Sequence, residues 1–149
     1  MKDSSENILL IDHNDIGILR LTLNDLDNKN ALSESMMQEL INAITKASKD
    51  KSVKVIVIAS NGNVFCSGHN LKEINEARKA DDGGKSYYLE LFKICSSLMQ
   101  LIVNCTKPVI AEVNGIATAA GCQLVASCDL AVSSNSAKFA TPGVNIGLF

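Results

Sequence analysis

Two segments of the sequence have the composition of loops that hold a carbonyl oxygen through backbone N–H groups. Residues 53–73 and residues 107–132 each contain a β-branched run, a turn of small residues and the start of a helical pattern. The first N–H groups of a helix have no partner inside it, and the helix dipole adds partial positive charge there. Two such groups aimed at one point form an oxyanion hole, and small side chains let a substrate approach them. Close packing of helix on strand explains either loop taken alone.

The apolar patterns around these loops predict an α/β fold that opens strand-strand-helix. Residues 8–12 and 16–23 alternate as a hairpin, and Ser33 is a suitable N-cap for a helix that follows it. The dense β-branched run at residues 53–59 predicts a strand covered on both faces, and residues 65–69 read as a loop. The patterns further predict helices over 71–79, 87–104 and 119–127 and strands over 109–113 and 130–133. No linker divides the chain, so residues 1–149 are expected to form one domain.

Several polar and thiol side chains near these elements have more than one interpretation. Cys66 and Cys122 could be nucleophiles, but no Cys-His-Asp arrangement accompanies them, which favours packing. Glu112 lies in a strand predicted to be buried and is a candidate ion-pair partner. The charged residues that follow the first loop are predicted to form a solvated helix face: Lys72, Glu73 and Glu76.

Composition excludes several classes of function. The net charge is −2 and no Lys/Arg-rich run occurs, which argues against nucleic acid or an anionic membrane as the main partner. No apolar run has the length of a membrane span. The five cysteines include no CxxC pair, so neither a disulfide framework nor a zinc site is expected. Residues 1–7 are polar and resemble no signal or transit peptide, which predicts a cytoplasmic protein.

Four motifs in this order resemble the crotonase (enoyl-CoA hydratase/isomerase) family. They are residues 30–32 (NAL), 65–73 (FCSGHNLKE), 107–132 (KPVIAEVNGIATAAGCQLVASCDLAV) and 139–149 (FATPGVNIGLF). The resemblance implies a ClpP/crotonase-like spiral of ββα turns, of which this chain is the N-terminal part. In the family, further C-terminal helices cover the acyl pocket and build a trimer or hexamer, and that C-terminal part is missing here.

The resemblance also implies which residues bind an acyl-CoA thioester. The oxyanion hole falls on the backbone N–H groups of His69 and Ala120. The contacts to the adenine and pantetheine groups, mostly made by backbone, fall on Lys29, Ala31, Cys66, Ser67, His69, Asn70 and Leu71. No metal or cofactor is implied beyond the coenzyme A thioester itself. The His69 side chain is expected to point to solvent, with a general base as the alternative interpretation.

The family's two catalytic glutamates have no counterpart in this sequence. Their positions correspond to Gln123 and Gly143. The glutamine amide cannot exchange a proton near neutral pH, and glycine has no side chain that could. Each positioned acid or base contributes roughly 10²–10⁴-fold to a rate, so weak hydration is expected. The sequence therefore predicts acyl- or enoyl-CoA binding in fatty acid metabolism. The alternatives are another thioester reaction such as hydrolysis, acyl-CoA binding without chemistry, and a subunit that associates with active family members.

Overall fold

The computed structural model describes residues 7–146 and opens with the predicted strand-strand-helix unit. Strands β1 (Leu9–His13) and β2 (Ile18–Leu23) precede helix α1 (Glu34–Lys49). The remaining elements are β3 (Val55–Ser60), β4 (Val64–Cys66), α2 (Leu71–Ala77), α3 (Lys85–Val103), β5 (Val109–Val113), β6 (Ile116–Thr118), α4 (Ala120–Ser127), β7 (Leu130–Ser133), β8 (Lys138–Ala140) and a 3₁₀ helix (Pro142–Ile146). The α/β class predicted from the sequence is confirmed.

The strands form two sheets between which the chain alternates. The larger sheet has the order β1-β2-β3-β5-β7, and only the β1–β2 pair is antiparallel. The smaller sheet has the order β4-β6-β8 and is parallel throughout. The first unit places both β1 and β2 in the large sheet, and from β3 onward each turn adds one strand to the large sheet, the next strand to the small sheet, and then helical structure. This repeated step is the ββα spiral that the resemblance implied.

The core lies on one face of the large sheet, beneath α1 and α3. Ser33 caps α1, since its Oγ accepts a hydrogen bond of 3.1 Å from the N–H of Met36. In β3, Ile56 and Ile58 are fully buried, whereas Val55 and Val57 on the opposite face are only half-buried. The prediction that this strand is covered on both faces is therefore wrong for the described chain. The buried helical residues include Met36, Met37, Leu40 and Ile44 of α1 and Leu91, Leu98 and Ile102 of α3.

The second sheet was not predicted. Its three strands have three residues each, which is too short for an alternating pattern to be visible in the sequence. β4 and β6 flank the glycine- and alanine-rich turns and were read as parts of those turns. The helix ends differ from the predicted ones by one or two residues. α2 ends at Ala77 where the prediction had 79, and α3 begins at Lys85 where the prediction had 87.

The outer face of the large sheet carries one ion pair across β2 and β5. The two terminal nitrogens of the Arg20 guanidinium, Nη1 and Nη2, donate to the Glu112 carboxylate at 2.8 and 2.5 Å. Glu112 is an ion-pair partner, as the sequence suggested, but it is exposed and not buried. At the C-terminal edge, the apolar side chains of Leu130, Val132 and Phe139 are more than half exposed. No helix among residues 7–146 is long and apolar enough to cross a membrane.

Candidate functional site

The loop before α2 and the loop before α4 meet beside Gly68. A Cβ at Gly68 would lie 3.0 Å from the Cβ of Ala119 and 3.2 Å from the backbone nitrogen of Ala120. Gly68 has φ +86°, which L side chains rarely adopt, so both conformation and space demand glycine here. The residue that follows Gly68 is His69. The fold thus brings the backbone of His69 and Ala120 to the same small region.

A second close approach fixes α4 against β4. A Cβ at Gly121 would overlap the carbonyl oxygen of Cys66, because the helix begins directly against the end of that strand. The small residues at the start of α4 thus allow close packing of helix on strand, which is the alternative explanation that the sequence analysis gave for each loop. The same packing also sets the position of the Ala120 N–H relative to the β4–α2 loop.

The backbone N–H groups of His69 and Ala120 have no hydrogen-bond acceptor among residues 7–146. Helix α4 has no side-chain cap, since Ala119 occupies the N-cap position with φ 51° and ψ −124°. Positive φ is unfavourable for alanine, and such strained residues cluster at functional sites. The N–H of Ala119 donates to the carbonyl of Ala140 in β8 at 2.9 Å, which ties the turn to the small sheet. Two N–H donors without an acceptor therefore remain on the two loops that meet at Gly68.

Asn30, which the sequence analysis did not single out, fastens the loop before α1. Its buried side chain accepts from the N–H of Asp25 at 2.8 Å and donates to the carbonyls of Asn61 and Val64 at 3.0 and 2.8 Å. Asn30 has φ 52° and its neighbour Lys29 has φ 56°. Asparagine tolerates this left-handed conformation better than most residues, and the NAL motif was the only signal for it in the sequence.

The other residues implied in coenzyme binding lie in or beside the loop before α1 and the loop before α2. Ala31 and Cys66 are buried, Lys29 and Leu71 are exposed, and Ser67 is half-buried. Asn70 caps α2, because its Oδ1 accepts from the N–H of Lys72 at 3.0 Å. Lys72 in turn donates from Nζ to Asn28 Oδ1 at 2.9 Å, which joins α2 to the loop before α1. A small pocket beside them is lined by Leu26, Lys29, Asn30, Asn61, Gly62, Asn63 and Val64.

The side chain of His69 does not simply point to solvent. Its ring is half-buried and packs edge-on against Phe92 of α3, with centroids 5.6 Å apart and an interplanar angle of 85°. Nδ1 is buried without a hydrogen-bond partner among the described residues. Burial lowers the pKa of the imidazole, and the nearby Leu32 carbonyl and the Glu73 carboxylate oppose that shift. The side chain expected to point to solvent is therefore partly covered by α3.

Glu73 is a junction between three helices and not part of a solvated helix face. Its carboxylate accepts from Tyr87 Oη at 3.2 Å, from Asn70 Nδ2 at 3.2 Å and from the backbone N–H of Glu34 at 3.3 Å. Burial, followed by the charges of Glu73 and Glu34, raises the pKa of the Tyr87 hydroxyl. Glu76, by contrast, is exposed and pairs with Lys79, as predicted for a solvated face.

The positions of the two absent acids offer no proton-transferring side chain. Gln123 is exposed in the second turn of α4, and its amide makes no hydrogen bond within the described range. Gly143 lies in the 3₁₀ helix. Burial raises the pKa of the Cys66 thiol to about 12, so this thiol is not a nucleophile near neutral pH. Across residues 7–146, no group of three His, Cys, Asp or Glu side chains could hold a metal ion.

Comparison with known proteins places this geometry in a family. The sequence model of the enoyl-CoA hydratase/isomerase family matches residues 13–149. Enoyl-CoA hydratase domain-containing protein 3, mitochondrial, of Xenopus laevis is 53% identical over 133 residues, which are 89% of this chain and 44% of that protein. 2,3-Dehydroadipyl-CoA hydratase of Escherichia coli (strain K12) is 34% identical over 131 residues, covering 88% of this chain and 48% of the enzyme. The cytoplasmic location predicted from the N-terminus stays a prediction, and the name of the Xenopus laevis relative describes that protein as mitochondrial.

Solved structures of enoyl-CoA hydratase-family proteins have the same fold as this chain. Human enoyl-CoA hydratase domain-containing protein 3 superposes with a TM-score of 0.87 at 45% identity, covering 96% of this chain and 54% of that one. An enoyl-CoA hydratase of Mycobacterium smegmatis gives a TM-score of 0.89 at 46% identity, with coverages of 97% and 54%. The chain spans about half the length of the relatives it matches. With the family model matched over residues 13–149, the chain belongs to the enoyl-CoA hydratase/isomerase family.

Proposed function

We propose that this protein binds the thioester of an acyl- or enoyl-CoA, with the carbonyl oxygen held by the N–H groups of His69 and Ala120. The observation that carries the proposal is the pair of unpartnered N–H groups on two loops in contact at Gly68. A thioester carbonyl that accepts both hydrogen bonds is polarised, and charge that develops on its oxygen is stabilised. Membership of the family would make the protein an enoyl-CoA hydratase, a lyase, in acyl-CoA or fatty acid metabolism.

The coenzyme portion would lie along the loop that Asn30 fastens. Lys29 provides an exposed ammonium group next to a small pocket, and Ser67 is half-buried on the neighbouring loop. A cation at this place suits the phosphates of coenzyme A, which a lysine binds as a point charge. Contacts made by backbone tolerate changes of side chain.

Hydration is expected to be slow. Adding water across an enoyl thioester requires one group that activates the water and one that protonates the α-carbon. Gln123 and Gly143 supply neither, and restoring one positioned acid or base is worth roughly 10²–10⁴-fold. Polarisation of the carbonyl by the two N–H groups survives this loss.

The test is hydration of crotonyl-CoA by the purified protein and by the Gln123→Glu/Gly143→Glu variant, with affinity for crotonyl-CoA measured by calorimetry. The expected result is binding by both proteins, and turnover that is slow in the unmodified protein and faster in the variant. Fast hydration by the unmodified protein would show that another residue supplies the protons. Absence of binding by the unmodified protein would overturn the proposal.

A second candidate function is assembly with active members of the family. The exposed apolar side chains of Leu130, Val132 and Phe139 at the end of both sheets favour it, because exposed patches of this kind mark interfaces. Sedimentation of the protein alone and mixed with an active relative separates self-association, as in the homotrimer or hexamer of the family, from mixed assembly. Replacing Val132 and Phe139 by Ser should weaken either association.

A further inference from the structure

We propose that the imidazole of His69 is the proton-transferring group of this site and that the reaction it supports is hydrolysis of the bound thioester. The inference rests on the proposed function, because it requires a thioester carbonyl at the N–H of His69. It assigns the role of the two absent carboxylates to one side chain, carried by a residue whose backbone lies at the contact of the two loops.

The position of the ring follows from the position of the backbone. A carbonyl oxygen that accepts from the N–H of His69 brings the carbonyl carbon within one side-chain length of the same residue's imidazole. The edge-on contact with Phe92, at a centroid distance of 5.6 Å, favours the observed orientation of the ring. Histidine is also the side chain most often used for proton transfer in catalysis.

The two ring nitrogens have different surroundings. Nδ1 is buried and makes no hydrogen bond of good geometry among residues 7–146, although the Leu32 carbonyl lies near enough to the ring to raise its pKa. Nε2 makes no hydrogen bond within the same residues and is not among the buried unpaired atoms. Only Nε2 can therefore meet a water molecule. A buried polar atom left unpaired costs free energy, and a catalytic role of the group is one of the explanations for such an exception in a native structure.

The electrostatic surroundings suit an imidazole that alternates between two protonation states. Burial favours the neutral ring, which is the form able to accept a proton. Glu73, one turn into α2, favours the imidazolium once it has formed, and its carboxylate is fixed by Tyr87, Asn70 and the Glu34 N–H. Glu73 itself is fully engaged in these hydrogen bonds, so it positions charge beside the ring and does not replace it.

One such group is sufficient for hydrolysis but not for hydration. Nε2 accepts a proton from water while the water oxygen forms a bond to the carbonyl carbon, and the two N–H groups bind the resulting oxyanion. The tetrahedral intermediate collapses with cleavage of the carbon–sulfur bond, and the imidazolium returns its proton to the leaving thiolate. Acyl thioester and water give carboxylic acid and coenzyme A thiol, with no net proton uptake by the protein. Hydration would require a second group at the α-carbon, where Gln123 and Gly143 offer none.

The experiment follows release of coenzyme A thiol from acetyl-CoA and butyryl-CoA by the purified protein and two variants, with binding measured separately by calorimetry. His69→Gln keeps the backbone N–H and a polar side chain but cannot transfer a proton. His13→Gln is the matched control, because His13 is exposed on β1 and is the only other histidine. We expect thiol release by the unmodified protein and the control, a fall of roughly 10²–10⁴-fold in kcat for His69→Gln, and similar affinities for all three.

The pH dependence of thiol release distinguishes proton transfer by His69 from a purely structural role of that residue. The rate of the unmodified protein should rise with pH through a single ionisation, and that ionisation should be missing from the residual rate of His69→Gln. Equal kcat for His69→Gln and the unmodified protein would overturn the inference. Binding without thiol release by the unmodified protein would overturn it too while leaving the proposed function intact, whereas loss of binding in all three proteins would remove both.

Discussion

Gly121 in the first turn of α4 lies directly against the carbonyl oxygen of Cys66 at the end of β4, with no room for a side chain. This contact sets the distance between the two loops that carry the N–H groups of Ala120 and His69. A methyl group there must push the helix away from the strand. We therefore expect Gly121→Ala to weaken acyl-CoA binding by at least tenfold and to destabilise the fold by about 1–3 kcal/mol, the usual cost of overpacking.

Gly83→Ala is the matched control for that change. Its added methyl group would meet nothing within 4 Å, so it carries only the cost of a positive φ. Calorimetric titration with crotonyl-CoA and urea unfolding of both variants provide the measurement. Unchanged affinity in Gly121→Ala would show that the spacing of the loops is not what the site depends on.

Asn30 provides a second prediction, because one buried side chain there makes three hydrogen bonds between two loops. Asn30→Gly retains the freedom to adopt positive φ but leaves the Asp25 N–H and the Asn61 and Val64 carbonyls without this partner. We expect a loss of about 2–3 kcal/mol in the free energy of unfolding, since each unsatisfied buried group costs roughly 1–3 kcal/mol. Affinity for coenzyme A should fall as well. Urea unfolding and calorimetry check both, and an affinity equal to that of the unmodified protein would contradict the assigned coenzyme loop.

The sequence predicted the long elements and not the contacts between them. The hairpin, α1 with its Ser33 cap, β3 and β5 all follow from periodicity and capping, which are local signals. The small sheet was missed, because a three-residue strand such as β4 is defined by its partner β6 and not by its own residues.

The same distinction holds within the site. The His69 and Ala120 positions came from the resemblance, whereas the roles of Asn30 and Glu73 depend on residues far away in sequence. Asn30 reaches Val64, and Glu73 receives a hydrogen bond from Tyr87 of another helix. Helical spacing alone placed Glu73 among solvated charges, since spacing within one helix contains no information about which neighbour covers it.

The Arg20–Glu112 pair should stabilise the outer sheet face in a pH-dependent way. Hydrogen bonds from Arg20 lower the pKa of the Glu112 carboxyl, so its contribution is complete above the ordinary carboxyl pKa and is lost as pH falls through the lowered value. Both side chains are partly exposed, at 39% and 47%, so we expect no more than about 1 kcal/mol from the pair. Urea unfolding of Glu112→Gln and the unmodified protein from about pH 7 to about pH 3 should show two curves that converge in acid. A constant difference would contradict the linkage.

Cys66 should be chemically inert in the folded protein despite its place beside the site. Burial raises the pKa of its thiol to about 12, and only the thiolate is reactive. Treatment with iodoacetamide at mildly alkaline pH, followed by mass spectrometry, should label Cys66 readily in urea and far more slowly in buffer. Labelling at equal rates in both conditions would mean that the thiol is accessible and would reopen its interpretation as a nucleophile.

The imidazole of His69 should make the fold less stable as the solution is acidified. Burial lowers its pKa in the folded state, so the unfolded chain takes up the proton first as pH falls below the ordinary histidine value of about 6.5. The free energy of unfolding therefore decreases with falling pH in the unmodified protein, and His69→Gln should lack that part of the decrease. Glu73 acts in the opposite direction, and Glu73→Gln should enlarge the effect. Urea unfolding at about pH 7.5 and about pH 5.5, with His13→Gln as control, measures it. A difference between His69→Gln and the unmodified protein that is the same at both pH values would show that the ring titrates alike in the folded and unfolded chain.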